Sequence, residues 1–199
     1  MVHVLCLDVS AWDECLYQQL YQQASPERKA RADRYRRQED ALRCVAADAL
    51  LRRVLGPEYG SIQKTPDGKP YLPERPDFHF NLSHGGKWVV LAYGPSPLGV
   101  DVESLRRDPN LHSIARRFFS QEEQAYVFAE GADSHQRFFK IWTGKEGYLK
   151  YLGTGLKKDL TSFSVLSPEP GVYFHWEDLP DGSHLCLCTR ETAYQLEFL

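Results

Sequence analysis

The stretch GPSPLGVDVE, residues 94–103, divides the chain and predicts a β-strand. Two valines alternate with Asp101 and Glu103, and a period of two is typical of a strand. Successive side chains of a strand point to opposite faces, so the two carboxylates share one face. Neighbouring carboxylates repel each other and are costly to desolvate without a cation. The pattern therefore indicates either a cation site at Asp101 and Glu103 or a solvent-facing strand edge.

The GPSP segment at 94–97 is the predicted linker, because glycine and proline interrupt regular structure. It separates an N-terminal half, residues 1–97, from a C-terminal half, residues 98–199. In the first half the pattern predicts a strand at 3–9 and hairpin strands at 78–83 and 88–94. It also predicts three helices, one at 11–22, one that begins at Ser25-Pro26 and one at 39–56.

The second half opens with the strand at 98–104 and continues with helices. The sequence SQEE at 120–123 is a capping box that starts a helix. Helices are predicted at 111–118 and at about 135–151, and strands at 162–166, 172–179 and 184–190. Helices with hairpin-connected strands in each half favour an α+β fold, each half carrying a small, mainly antiparallel sheet, over a doubly wound parallel sheet.

Charge and composition narrow the class of protein. The 199-residue chain has a net charge of −3, yet residues 25–53 hold nine Lys or Arg against five Asp or Glu. This asymmetry indicates an anionic partner, or a solvated helix face with ion pairs. No nucleic-acid motif is present, and a nucleic-acid partner is not expected. Without an apolar run of about eighteen residues, a leader or a CxxC pair, we expect a cytoplasmic protein with reduced thiols and no membrane span.

Two further groups of residues carry candidate chemistry. Glu146 and Lys150 are four apart on the predicted helix at 135–151 and share a face; they form either a surface ion pair or part of a site. If that helix packs on the acidic strand, Glu146 adds a third carboxylate for Mg²⁺, which prefers carboxylates, water and substrate phosphates. Donors suited to phosphate oxygens stand elsewhere, at Arg28, Arg31, Arg43, Lys69, Ser83 and His84.

The motifs GKPYL, FNLSHGG, LGVDVE, RRFFSQEE and WTGKEGYLKYLGTGL occur in that order, from about residue 25 to 163. Together they resemble the motif set of the Sfp-type 4′-phosphopantetheinyl transferases. The resemblance implies a monomeric pseudo-dimer of two similar α+β halves with coenzyme A in the cleft between them. It implies transfer of the phosphopantetheine arm to a serine of an acyl or peptidyl carrier protein, releasing adenosine 3′,5′-bisphosphate. The carrier would serve fatty-acid, polyketide or nonribosomal peptide synthesis.

The resemblance also implies roles for individual residues. Asp101, Glu103 and Glu146 would hold Mg²⁺ on the diphosphate, and Asp101, Glu146 and Lys150 would be the catalytic residues. The coenzyme-binding residues would be Arg28, Arg31, Arg43, Lys69, Pro70, Ser83, His84 and Lys150. Arg28 and Arg31 depart from the lysines common in the family. The alternative hypotheses are an inactive coenzyme A or nucleotide-binding module that recognises a protein partner, and a basic-helix nucleic-acid binder.

Overall fold

The computed structural model describes residues 1–105, 109–131 and 133–199 of the chain. Its α-helices are α1 (Glu14–Gln23), α2 (Pro26–Ala32), α3 (Gln38–Leu55), α4 (Leu111–Phe118), α5 (Gln121–Val127) and α6 (Ser134–Leu152). Its strands are β1 (Val2–Asp8), β2 (Gln63–Lys64), β3 (Pro70–Tyr71), β4 (His79–Gly85), β5 (Trp88–Gly94), β6 (Leu98–Glu103), β7 (Tyr173–Asp178), β8 (His184–Thr189) and β9 (Tyr194–Phe198).

The strands of the described residues form two main sheets and a short pair. The first sheet has the order β4-β5-β1-β9; β9 runs parallel to β1, and the other neighbours are antiparallel. The second sheet has the antiparallel order β6-β8-β7. The short pair, β2 and β3, flanks the turn that carries Lys69.

The core is arranged as helix, sheet, sheet and helix. The inner faces of the two sheets meet in an apolar layer because alternate residues of each strand are aliphatic: Val2, Val4, Cys6, Trp88, Val90, Ala92, Leu98, Val100, Val102, Leu185 and Leu187. Helix α3 covers the outer face of the first sheet. Helix α6 covers the outer face of the second sheet, which is the face that carries Asp101.

Helix α6 lies against β6 at unusually short range because a glycine faces it. A Cβ built on Gly99 would lie 2.2 Å from the carbonyl oxygen of Gly147 and 2.2 Å from the nitrogen of Tyr151. A Cβ on Gly147 itself would meet its nearest neighbour, the carbonyl oxygen of Cys186, at 3.4 Å. Gly99 is therefore the position that fixes how closely the helix approaches the strand.

A buried ion pair joins helix α6 to helix α5. The ammonium group of Lys145 on α6 lies 2.7 Å from a carboxylate oxygen of Glu123, and both side chains are fully buried. Lys145 also donates to the carbonyls of Leu160 and Phe163, and Glu123 accepts from the backbone N–H of Val165. The pair is satisfied by these additional hydrogen bonds, as a buried pair must be to offset desolvation.

The two sheets are joined at β4 and β6 by side chains instead of a backbone ladder. The side-chain oxygens of Asn81 and Ser83 accept from the backbone N–H groups of Val100 and Val102, at 3.0 and 3.3 Å. At Gly85 no side chain fits, because a Cβ there would lie 2.3 Å from the carbonyl oxygen of Val102. The alternate residues Asn81, Ser83 and Gly85 therefore decrease in size along β4, which matches a gap between β4 and β6 that narrows toward Gly85.

The predicted α+β class is confirmed, with helices and small sheets as expected. The hairpin at β4 and β5, the capping box of Ser120 and Glu123, and the helix ending at Gly153 are also present. The predicted strand at 162–166 is wrong. A short 3-10 helix at Leu160–Ser162 leads into irregular chain, because Lys145 and Glu123 bind the backbone groups that a strand needs.

One strand was not predicted. It belongs to the C-terminal half of the sequence but joins the sheet formed by the N-terminal half. Residues 194–198 form β9, which pairs with β1 of the first sheet. The division into halves 1–97 and 98–199 stays a prediction. Among the described residues, no helix combines the length and the apolar character needed to cross a bilayer.

We expect Gly99→Ala to lower the free energy of unfolding by about 1–3 kcal/mol, because the methyl group must push α6 away from β6. Gly147→Ala is the matched control: its Cβ makes an ordinary contact, and alanine favours the helix by about 1 kcal/mol. Urea unfolding of both variants compares the two positions. Equal stability of Gly99→Ala and Gly147→Ala would contradict the close approach.

Candidate active site

The charge pattern of β6 indicated either a cation site or a solvent-facing edge. In the structure Asp101 of this strand forms an ion pair with a lysine. Lys150 on α6 places its ammonium group 2.7 Å from Asp101 Oδ1 and 3.1 Å from the carbonyl oxygen of Val100. Asp101 is 6% exposed, so this contact is largely shielded from solvent. The close packing at Gly99 brings the two side chains together, because Lys150 lies one turn beyond Gly147 on the same helix.

Ser83 on β4 completes this contact. Its hydroxyl donates to Asp101 Oδ1 at 2.8 Å and accepts from Lys150 Nζ at 2.9 Å. It also accepts from the N–H of Val102. Elements of both predicted halves therefore supply the Asp101–Lys150–Ser83 cluster.

Asp101 retains one unused oxygen. Its Oδ2 atom is buried and has no hydrogen-bond partner among the described residues. A buried carboxylate oxygen without a partner is costly, so it marks a place where a cation or donor is expected. Within the described residues, however, no group of three His, Cys, Asp or Glu side chains is arranged to hold a metal ion.

Glu146 stands one turn before Lys150 and is half-buried. Burial, followed by the negative charge of Asp101, raises the pKa of its carboxyl group, while Lys150 opposes the shift. Glu103 lies two residues after Asp101, half-buried, and pairs across the sheet with His184. The chemistry of this donor set fits a hard divalent cation. The candidate ligands are carboxylates, one oxygen has no partner, and a cation would relieve the repulsion between Glu146 and Asp101.

A cavity of about 270 Å³ opens beside the cluster. Its lining includes Asp67, Lys69, Pro70, Asn81, Glu146, Leu149, Lys150 and Gly153. The structure thus brings Lys69, Pro70, Glu146 and Lys150 to one cavity, with Asp101 and Ser83 in contact with Lys150. Asn81 is a site residue that the sequence interpretation missed, although it shares a strand face with Ser83 two residues on.

The ammonium group of Lys69 is held in place by backbone carbonyl groups. Its ammonium group donates to the carbonyls of Tyr151 at 2.7 Å and Leu98 at 3.1 Å, which anchors its turn to α6 and β6. Burial lowers the pKa of Lys69 to about 8. Gly153 faces it in a left-handed conformation (φ 73°), and a Cβ there would lie 2.8 Å from Lys69 Cδ.

Arg43 and His84 lie near the turn between β4 and β5. Arg43 Nη2 donates to the carbonyl oxygen of Gly86 at 2.7 Å, and Nη1 donates to Asp40 at 3.0 Å. His84 is an exposed residue, yet desolvation of its ring, followed by the positive charges of Arg43 and Lys150, lowers its pKa. The neutral form of His84 is therefore favoured, and Arg43 is paired with Asp40.

Arg28 and Arg31 are placed differently by the structure. Arg28 is largely buried, 3.5 Å from Asp48, and the hydroxyl of Tyr59 donates to the same carboxylate at 2.5 Å. Arg31 is exposed on the same helix. Among the described residues, neither arginine contacts the Asp101–Lys150–Ser83 cluster. Their predicted phosphate contacts stay predictions.

The chain is similar in sequence to known proteins. Residues 97–198 match the model of the 4′-phosphopantetheinyl transferase superfamily, and residues 11–96 match that of a 4′-phosphopantetheinyl transferase N-terminal family. The chain is 36% identical over 171 residues to the 4′-phosphopantetheinyl transferase Sfp of Bacillus subtilis, covering 81% of this chain and 74% of that protein. It is 35% identical over 189 residues to the 4′-phosphopantetheinyl transferase psf-1 of Bacillus pumilus, covering 90% and 79%.

A more distant relative is the 4′-phosphopantetheinyl transferase gsp of Aneurinibacillus migulanus, 31% identical over 160 residues, 77% of this chain and 66% of that protein. The chain belongs to the 4′-phosphopantetheinyl transferase superfamily. It is an enzyme of this kind, which confirms the resemblance to the Sfp type. The inactive binding module is therefore not supported.

The raised pKa of Glu146 predicts a pH dependence of stability. Ionisation of Glu146 is less favourable in the folded than in the unfolded chain, so its stabilising contribution is present in acid and lost as pH rises through the folded pKa. We expect Glu146→Gln to be more stable than the parent at neutral pH, with the difference vanishing in acid. Urea unfolding without divalent cations, at a series of pH values, measures this.

The matched control is Glu58→Gln, which removes an exposed carboxylate at a surface position. It should show no comparable pH-dependent gain. A parent protein that is as stable as Glu146→Gln at every pH would contradict the buried, repelled state of Glu146.

Proposed function

We propose that this transferase moves the phosphopantetheine arm of coenzyme A onto a serine hydroxyl of an acyl or peptidyl carrier protein. The observation that supports this most directly is the Asp101–Lys150–Ser83 cluster beside a cavity that Glu146 and Lys69 also line. Cations and carboxylates at one cavity suit a diphosphate and a metal ion. The proposal rests equally on the family to which the chain belongs.

In this reaction the serine oxygen attacks the phosphorus that carries the pantetheine arm. A new P–O bond forms, the bond to the bridging oxygen of the diphosphate breaks, and its electron pair leaves with adenosine 3′,5′-bisphosphate. The enzyme must align the two reactants, neutralise the phosphoryl oxygens and accept the serine proton.

We assign Asp101, Glu103 and Glu146 as the residues that would hold Mg²⁺. Bound Mg²⁺ supplies Lewis-acid polarisation of the diphosphate and neutralises its charge. Asp101 offers the unpartnered Oδ2, and Glu146 offers a carboxylate whose ionisation a nearby cation favours. We assign Glu146 as a metal ligand in preference to a general base, since a metal-bound carboxylate is less basic.

Lys150 supplies the positive charge at the leaving group. Its ammonium group is held by Asp101, Ser83 and the carbonyl of Val100, so it is oriented before substrate binds. Preorganised charge of this kind stabilises the negative charge that develops on the departing bisphosphate. Glu146, one turn away, can accept the serine proton directly or through water.

His84 and Arg43 near the turn between β4 and β5, with Lys69 and Pro70 in the cavity lining, are proposed to line the nucleotide and its 3′-phosphate. Desolvation, followed by the positive charges of Arg43 and Lys150, lowers the pKa of His84, and those two cations favour an anionic ligand nearby. Arg28 and Arg31 are also proposed to bind the phosphates of the coenzyme, on the strength of the family resemblance. A monomeric state, a cytoplasmic location and the absence of nucleic-acid partners remain predictions from the sequence.

Incubation with coenzyme A, Mg²⁺ and a carrier protein should raise the carrier's mass by one phosphopantetheine group, as measured by mass spectrometry.

Asp101→Asn should reduce the transfer rate by at least about a hundredfold, because it removes a charged ligand from the metal site. Transfer by Asp101→Asn at the parental rate would contradict the metal assignment. Absence of transfer by the parent protein to any carrier tested, despite coenzyme A binding, would contradict the proposed reaction.

Lys150→Ala should lower kcat more than it weakens coenzyme A binding, because its charge is needed most in the transition state. Steady-state kinetics combined with calorimetric titration of coenzyme A separate the two effects. Lys140→Ala, on the same helix but outside the cavity lining, is the control and should leave both quantities close to parental values. If Lys150→Ala loses affinity and kcat equally, the lysine is a binding residue only.

A further inference from the structure

A second cavity, of about 700 Å³, lies apart from the Asp101–Lys150–Ser83 cluster. It is bounded by the loop after β1, by α1, by α3 and by the turn between β4 and β5, and within the described residues it shares no lining residue with the 270 Å³ cavity. Ligand cavities commonly measure about 300–1,000 Å³, so its size suits a small organic molecule. Among the described residues assigned to coenzyme A, Arg43 alone belongs to its wall. The proposed reaction therefore assigns this cavity no ligand.

Part of the wall is aromatic and aliphatic. Trp12 and Leu42 pack against the core of the first sheet, and Tyr17 lies beside Tyr21 with ring centroids 5.9 Å apart. Trp12, Leu42 and Tyr17 are only partly buried, so each offers surface to the cavity. Aliphatic surface favours an apolar group, and the face of a Trp or Tyr ring attracts a cation. The wall therefore suits a ligand with an apolar body and admits a positive charge on it.

Glu14 places a carboxylate at this wall. The carboxylate accepts from Gln18 Nε2 at 2.7 Å and from Gln38 Nε2 at 2.5 Å. Both donors are neutral amides, and within the part of the chain that the structure describes no cation pairs with Glu14. The two amides therefore orient the carboxylate without neutralising it.

The two cations of the wall already have anionic partners. Arg43 lies 3.0 Å from Asp40 and 3.7 Å from Glu39. Lys87 lies 2.7 Å from Asp8. The positive charges of Arg43 and Lys87 are therefore largely offset before a ligand enters.

The balance of charge around the cavity is negative. Those three carboxylates, together with Asp13 and Glu14, make five against two cations, a net charge of −3. The amino ends of α1 and α3 add about half a positive charge each, so about two negative charges remain. Tyr17 experiences the same field: desolvation, followed by the negative charges of Asp33 and Glu14, raises the pKa of its hydroxyl. The cavity therefore disfavours a phosphate and favours a cation.

We propose that the 700 Å³ cavity binds a small organic cation, in which an ammonium group is attached to an aromatic or alkyl body. The ammonium group lies near Glu14, and the apolar body packs against Trp12, Tyr17 and Leu42. This site is separate from that of coenzyme A, and the inference does not depend on the proposed function.

Three probes with a common phenyl body test the proposal. The probe 2-phenylethylammonium is positively charged, 2-phenylethanol is neutral and 3-phenylpropanoate is negatively charged. Titrations followed by protein NMR should show the cation bound at least about fivefold more tightly than the anion, with the alcohol between them. Added salt should reduce this difference, since it screens charges near the surface. Equal affinities of the three probes at low salt, or no binding of the cation, would overturn the proposal.

Glu14→Gln removes one charge from the wall and keeps the shape of the side chain. It should weaken binding of 2-phenylethylammonium about two- to fivefold, the effect of one exposed ion pair, and leave binding of 2-phenylethanol unchanged. Glu58→Gln is the matched control, because it removes an exposed carboxylate that does not line the cavity. Parental affinity of Glu14→Gln for the cation would contradict the site.

Tyr17→Leu removes the ring and keeps an apolar side chain, so it should weaken binding of the cation more than that of the alcohol. Equal losses for the two probes would remove the aromatic contact from the proposal and overturn it.

Saturating coenzyme A should leave 2-phenylethylammonium bound, because the two cavities have separate linings. Displacement of the cation by coenzyme A would overturn the separate site. Transfer to a carrier protein is measured on the same samples, so an error about this cavity is distinguished from an error about the reaction.

Discussion

The close approach of α6 to β6 at Gly99 is the constraint on which the site depends. With no side chain at this position, the backbone of the helix rests on the backbone of the strand. Lys150 then reaches Asp101 with its ammonium group beside the strand, at 2.7 Å. The fully buried pair of Lys145 and Glu123 holds the same helix from its other side. Gly147 and Lys150 thus share the face of α6 that meets β6, while Lys145 anchors the helix to Glu123.

The electrostatics of the site follow from that packing. Burial, followed by the negative charge of Asp101, raises the pKa of Glu146, so the site holds two carboxylates whose charges oppose each other. Lys150 compensates only part of it, since Asp101 Oδ2 still lacks a partner among the described residues. This shortage of positive charge is the physical basis of the proposed divalent cation, and the neighbouring lysines are the basis of the proposed phosphate ligand.

The sequence predicted those features that local patterns encode. Strand alternation located β6, helical spacing located α6, and the residue pair Ser120 and Glu123 located the start of α5. The irregular chain after Leu160 was predicted as a strand because its residues alternate, while the groups that occupy its backbone come from distant helices. The ion pair of Arg28 with Asp48, and the role of Asn81, depend likewise on tertiary contacts that no local pattern contains.

The junction of β4 and β6 shows why site and fold cannot be separated in this enzyme. An ordinary sheet would join two strands by backbone hydrogen bonds and leave their side chains to the faces. Here Asn81 and Ser83 replace that ladder where β4 meets β6, beside the apolar layer that the inner faces of the two sheets form. Ser83 is thereby brought to Lys150 and Asp101, and Asn81 to the cavity. The polar side chains that join β4 to β6 therefore also belong to the site, because they satisfy the N–H groups of Val100 and Val102.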